Sequence, residues 1–276
     1  MKRNFKGMSF FDYWESFVSE YDHNEATVNQ IMGWEMPIGN YGNELPSRSY
    51  LPEPYWGWTP NNDAVLKAVF LNLNPGRGGE SQCHTSNSQY ITDAKKSYKS
   101  MVQNFSDIGE YNTTKWFQRK RADWISSILP DNFLNTKVSE ILCADLIPWH
   151  TPKYDSQTAQ YTENVKCKVR SHVICPIAKI ASTAKLKDIV IAKGAHIEHL
   201  LTDIIGQPET YYNDAKTRRV SDAKTRRVSV FYLNKTRFLV FVGGQGMSLP
   251  NSNSVFRESG LATGKEYSIK EIISKQ

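Results

Sequence analysis

Apolar positions along the chain follow two rhythms. Short unbroken runs alternate with stretches in which apolar residues recur every three or four positions. Residues 64–72 form the first run, and Asn74-Pro75-Gly76-Arg77-Gly78-Gly79 follows it. An apolar run closed by proline and glycine reads as a buried strand entering a loop. Residues 138–147 predict a second strand, stopped by Pro148, and residues 187–192 a third, closed by Lys193-Gly194. Residues 228–233 and 237–242 predict a hairpin around Asn234-Lys235. Helical spacing covers residues 9–21, 90–105, 114–128, 156–182, 195–205 and 267–275, the last capped by Ser268. In the first helix Phe10, Phe11, Trp14, Phe17 and Val18 share one face, which reads as a core stripe. Residues 36–62, rich in Pro, Gly, Asn and Tyr, read as an extended surface segment. Its Tyr55, Trp56 and Trp58 suit anchoring to the body better than stacking on bases.

Strands alternating with helices imply an α/β sheet, largely parallel. Ligands of such sheets sit at the carboxyl ends of the strands, near the point where strand order reverses. Four loops therefore carry the search: those after Asn72, Ala144, Ala192 and Val242. No low-complexity stretch divides the 276 residues, so one domain is expected over 1–276.

Composition adds charge to this picture. The net charge of +6 suits a polyanionic partner, and it equally suits an ordinary basic protein. Part of it comes from an exact duplication, DAKTRRVS at 214–221 and again at 222–229. One short repeat is no solenoid signature; it reads as a slip in a loop or strand edge, with a basic DNA-contacting hairpin as the lesser alternative. Cys83, Cys143, Cys167 and Cys175 have neither zinc-site nor cluster spacing. The amino terminus is not a signal peptide and no apolar run reaches about 18 residues, so a cytosolic chain with reduced thiols is expected.

The first loop is neither a Walker A loop nor a dinucleotide fingerprint. As a strand-to-loop turn with exposed N–H groups, it can hold an anion or position a water. The run Leu71-Asn72-Leu73-Asn74-Pro75-Gly76 after a buried strand resembles the first motif of the uracil-DNA glycosylase superfamily, in its single-strand-selective and mismatch-specific branches. The resemblance implies a three-layer α/β sandwich around a central, mainly parallel, four-stranded sheet. It covers residues 64–255, with residues 1–60 as an N-terminal helical extension. It also implies that Asn74 holds the water attacking C1′, with Pro75 and Gly76 lining the base pocket. An amide is a weaker base than the aspartate of other branches, so Asn74 positions water more than it deprotonates it.

Residues 141–149, ILCADLIPW, are similar to the superfamily strand that ends in a base-reading asparagine, and Asp145 stands at that position. Asparagine both donates and accepts, which suits uracil. An ionised aspartate only accepts; it repels the O4 oxygen of uracil and pairs with the N4 amine of cytosine. A cytosine-type base is therefore expected, while a turn-capping role for Asp145 stays open. The loop after Val242 departs from the superfamily motif because it lacks the histidine. Gln245, Ser248 or Asn251 would then contact the base oxygen, and Met247 or Leu249 would fill the gap left by the flipped nucleotide. Lys193-Gly194-Ala195 matches the superfamily glycine before a helix loosely, and its N–H groups suit a phosphate. Tyr90 is ranked first as the aromatic stacking on the base, ahead of His84 and Phe105. His84, His150 and His172 read as surface or core residues.

These departures resemble the bacterial anti-phage glycosylases of the superfamily, which excise glucosylated hydroxymethylcytosine from modified phage genomes and leave abasic sites. The resemblance implies a monofunctional, monomeric, cytoplasmic enzyme acting on double-stranded DNA, with no metal or cofactor. The rival readings are a uracil or mismatch repair glycosylase, a non-catalytic module that binds modified DNA, and a nucleoside or nucleotide hydrolase.

Overall fold

The computed structural model describes residues 8–20, 34, 52–60, 63–73, 88–108, 138–149, 161–184, 189–215, 226–243, 254–259 and 264–275. The opening helix, α1 (Phe10–Ser19), begins where the Ser9 hydroxyl accepts the Asp12 N–H at 3.2 Å. Phe10, Phe11, Trp14, Phe17 and Val18 are buried, as the spacing predicts, and Tyr13 is buried with them. Nine strands follow among the described residues: β1 (Tyr55–Gly57), β2 (Ala68–Asn72), β3 (Ile141–Asp145), β4 (Ile189–Lys193), β5 (Thr210–Asp214), β6 (Arg227–Leu233), β7 (Thr236–Val242), β8 (Val255–Glu258) and β9 (Glu266–Ser268). The remaining helices are α2 (Ser88–Lys96), α3 (Tyr98–Ile108), α4 (Glu163–Val169), α5 (Cys175–Thr183), α6 (Ala195–Ile205) and α7 (Ile269–Ser274). A π-helical turn, Arg170–Ile174, joins α4 to α5, so the long helix expected within 156–182 runs from Glu163 to Thr183 with a bulge, residues 156–160 lying outside the described residues.

All nine strands form a single sheet in the order β1-β3-β2-β4-β7-β6-β5-β8-β9. The four-stranded, mainly parallel sheet is thereby corrected. Four neighbours, β3, β2, β4 and β7, are parallel, but the other five strands join antiparallel. The sequence pattern finds the parallel strands because burial on both faces makes them continuous apolar runs. Every residue of β2, β3, β4 and β7 is buried. The strands it misses are different objects. Only Tyr212 of β5 is buried, and β8 and β9 are three or four residues long. The surface segment predicted over 36–62 is also corrected in part: Tyr55 and Trp56 are buried in β1, which pairs with β3. Sheet pairing thus extends beyond 64–255 at both ends.

Residue alternation shows which face each helix covers. Thr236 and Arg237 are successive residues of β7 and point to opposite faces. The Thr236 hydroxyl donates to the carbonyl of Ala178 in α5 at 3.1 Å, whereas the Arg237 guanidinium donates to the carbonyl of Ile273 in α7 at 2.9 Å. Ser229 and Arg227 of β6, on the α5 face, bond Glu198 of α6. Helices therefore cover both faces.

Candidate active site

Because β3, β2, β4 and β7 run parallel, the loops after Asp145, Asn72, Lys193 and Val242 all leave one edge of the sheet. These are the four predicted positions, each within one residue. The chain passes from β2 to β3 on one side, then crosses to β4 and β7 on the other. Strand order thus reverses about β2. The topological switch point therefore lies between the carboxyl ends of β2 and β4, the usual ligand position in open α/β sheets.

Of the predicted site residues, Asp145 is the one whose side chain the structure describes. It is 3% exposed, and its backbone N–H donates to the carbonyl of Pro54 at 2.9 Å. Its Cα partner on β2 is Asn72, itself 4% exposed. The ladder continues past the strand, with Leu146 N–H on Asn72 O at 3.0 Å and Ile147 N–H on Leu73 O at 2.9 Å. This pairing locks the end of β3 beside the start of the Asn74 loop. Asn74, Pro75, Gly76, Gln245, Met247, Ser248, Leu249 and Asn251 lie outside the described residues. Tyr90 falls in α2, whose backbone is described but not that side chain.

The third loop is tight. Gly194 has φ +130°, a conformation that favours glycine, and it leads directly into α6. Open space surrounds its Cα, so the backbone angle and not crowding requires glycine there. Its N–H donates to Phe241 O at 2.9 Å, which ties the ends of β4 and β7 together. Just before it stands Lys193, 8% exposed. The register pairs Leu71 with Ala192 and Lys193 with Phe241, so Asp145, Asn72, Lys193 and Phe241 form the terminal rung on one face. That face is the one carrying Arg237 and α7. The sequence pattern assigns no role to the Asn72 side chain and takes Lys193 only as the start of a loop whose N–H groups suit a phosphate. Their signal was available: a polar residue closes each of three successive buried strands.

Other polar features lie away from this edge. His172, in the π-turn, stacks on Tyr13 with ring centroids 3.8 Å apart and planes at 6°. Burial, aided by the nearby Lys168, pushes its pKa down to about 4. A cavity of about 780 Å³ at the amino edge of the sheet is lined mainly by apolar residues, among them Phe10, Phe11, Trp58, Leu66 and Ile180. Among the described residues no three His, Cys, Asp or Glu side chains cluster to hold a metal, and no helix is long and apolar enough to cross a membrane. The chain matches no protein-family model, and neither curated proteins nor solved structures give a match.

Proposed function

We propose that the protein is a monofunctional DNA glycosylase of the uracil-glycosylase type. Its substrate in this reading is a flipped-out modified cytosine, glucosylated hydroxymethylcytosine in phage DNA, and its product is an abasic site in antiviral defence. The observation that supports this reading most is the pairing of Asn72 with Asp145. That pairing puts the strand end that leads to Asn74 and the buried carboxyl of Asp145 at one end of adjacent parallel strands, beside the point where strand order reverses. The four parallel strands with helices on both faces suit the three-layer sandwich of that superfamily, here widened by five antiparallel strands.

In this reading Asn74 orients a water toward C1′ of the extruded nucleotide. The glycosidic bond breaks through an oxocarbenium-like state, and the bond's electron pair leaves with the base. Water supplies hydroxide to C1′ and a proton to the departing base. Asp145, buried and dry, accepts from the exocyclic amine of cytosine. A carboxylate is the right partner for that amine and the wrong one for the O4 of uracil. Base flipping supplies the access that this chemistry needs.

The test compares three DNAs: one carrying glucosylated hydroxymethylcytosine, one unmodified and one containing uracil. Abasic sites are expected in the first alone. Asn74→Ala should lower the rate by about 10²-fold or more while DNA binding persists. Cleavage confined to uracil DNA selects the repair reading. An Asn74→Ala protein that still protects cells selects the binding-module reading.

A further inference from the structure

The cavity of about 780 Å³ at the amino edge of the sheet lies at the opposite end of the strands from Asp145 and Asn72, so it is no part of the candidate active site. The start of α1, the chain between β1 and β2, and the π-turn with α5 wall it. Its apolar side is held in shape. The Trp58 indole N–H donates to the carbonyl of Ala64 at 2.7 Å, which closes that segment on itself. The Trp58 ring meets Phe11 edge-on, with centroids 5.8 Å apart. Among the described residues, Met8 and Val65 are the large apolar side chains left exposed, Val65 by 72%, and both line this cavity. Single exposed apolar groups are ordinary, but two gathered on one apolar cavity mark a binding surface.

The π-turn and α5 supply the polar side. Cys175, Lys179 and Thr183 share a face by helical spacing, with Ser171 one turn earlier. The hydroxyls are already committed. Ser171 donates to Cys167 O at 2.6 Å, Thr183 to Lys179 O at 2.8 Å, and Ser9 of the facing wall to Asp12 at 2.6 Å. The Lys179 ammonium differs: among the described residues it makes no ion pair or hydrogen bond. The acids of the facing segments do not neutralise it. Asp12 is bonded to Ser9 and Lys99, and Asp63, beside the lining residue Ala64, forms no ion pair with it.

We infer that this cavity binds a small amphipathic monocarboxylate, fatty-acid-like, with an unbranched apolar chain of about ten carbons. Its carboxylate meets the Lys179 ammonium, and its chain lies over Trp58, Leu66 and Ile180. The cavity volume falls within the range of small-ligand sites, roughly 300–1,000 Å³. A single uncommitted cation beside apolar walls suits a ligand with a single anionic end. A sugar or nucleotide would bring hydroxyls that the committed Ser and Thr groups cannot satisfy, at the cost of burying them unpaired. A cationic amphiphile would meet a like charge.

The experiment titrates the full-length protein by calorimetry with decanoate, octanoate, 1-decanol and decyltrimethylammonium, each below the concentration at which it forms micelles or separates. Decanoate should bind saturably at a single site. Octanoate should bind about tenfold more weakly, because it buries fewer methylenes. Decyltrimethylammonium should bind more weakly than decanoate. Lys179→Gln should weaken decanoate by about fivefold and leave 1-decanol unchanged, and Lys179→Arg should restore decanoate. Val65→Glu should weaken decanoate and 1-decanol together. Both substituted positions are exposed, and circular dichroism checks the fold.

Labelling with a maleimide, mapped by mass spectrometry, locates the site. Decanoate should slow the modification of Cys175, which lines the cavity, and leave Cys167 unchanged, which is exposed on α4. The assignment is overturned by a lack of saturable decanoate binding, by Lys179→Gln binding decanoate as the wild type does, or by a Cys175 labelling rate that decanoate does not move. A dimer in sedimentation that Val65→Glu dissociates would assign the surface to a second copy of the chain instead. None of these readouts depends on glycosylase activity.

Discussion

His172 shows how a single ring can tie pH to stability. It lies flat on Tyr13, whose hydroxyl accepts the Trp34 indole N–H at 2.6 Å, so the stack is anchored in the aromatic core between α1 and the π-turn. Its folded-state pKa of about 4 lies below its ordinary 6.5. Between those values the unfolded chain binds a proton that the folded chain refuses. The stabilisation is complete above 6.5 and is lost as pH falls toward 4. Melting temperature should fall across that window in the wild type. It should fall less in His172→Phe, which keeps an aromatic ring and cannot titrate; parallel curves would rule out His172 as the group responsible.

Glu198 is a second residue whose role depends on its surroundings. It is 7% exposed and accepts from Arg227 and from the Ser229 hydroxyl. On the sequence it is one more polar position of an amphipathic helix. Asp145 was legible as the polar end of a buried strand, but its neighbours were not, because register is set by pairing between strands that lie far apart in the chain.

At the scale of elements, the duplicated octapeptide has a definite place. Its first copy begins with Asp214, the last residue of β5, and its second supplies Arg227, Val228 and Ser229 of β6. Asp214 N–H donates to Arg226 O at 2.8 Å, so residues 215–225 connect an antiparallel pair. Removing one copy, residues 216–223, leaves every strand residue unchanged and shortens the connection from eleven residues to three. Three residues are a common hairpin length. Loop-closure entropy then predicts a gain of about 1 kcal/mol. Urea denaturation of the deletion variant should show a higher midpoint and an unchanged slope; a loss of stability would mean that the extra residues make contacts of their own.

Capping was easier to read. Ser268 opens α7 with a complete capping box: its hydroxyl accepts the Glu271 N–H at 3.2 Å, and Glu271 returns to the Ser268 N–H at 2.7 Å. Such caps span three residues and need no tertiary information. The strands β8 and β9 were illegible for the opposite reason. They are short, partly exposed strands at the far side of the sheet, where β8 pairs with β5 and β9 with β8.

For the whole molecule, the net charge of +6 and the pI near 9.0 bear on a polyanionic partner. If duplex DNA is that partner, binding releases condensed counterions and its affinity must fall with salt. Equilibrium binding to a DNA duplex should weaken by more than about tenfold between 50 and 200 mM salt. A flat salt response, or no binding at low salt, would favour a small-molecule hydrolase on the same scaffold.

The amino-acid sequence by itself determined the apolar runs that become the parallel strands, the amphipathic helices, the caps and the loops at which those strands end. Each depends on residues close together in the chain, through side-chain period, backbone preference or a local hydrogen bond. Tertiary structure alone decided that the described residues form nine strands in one sheet, that Tyr55 and Trp56 are anchored as a strand paired with β3, and that Asp145 lies opposite Asn72. Those facts depend on pairing between residues tens to more than a hundred positions apart. Local pattern carries no information about such register, and burial becomes known only when the partners are in place.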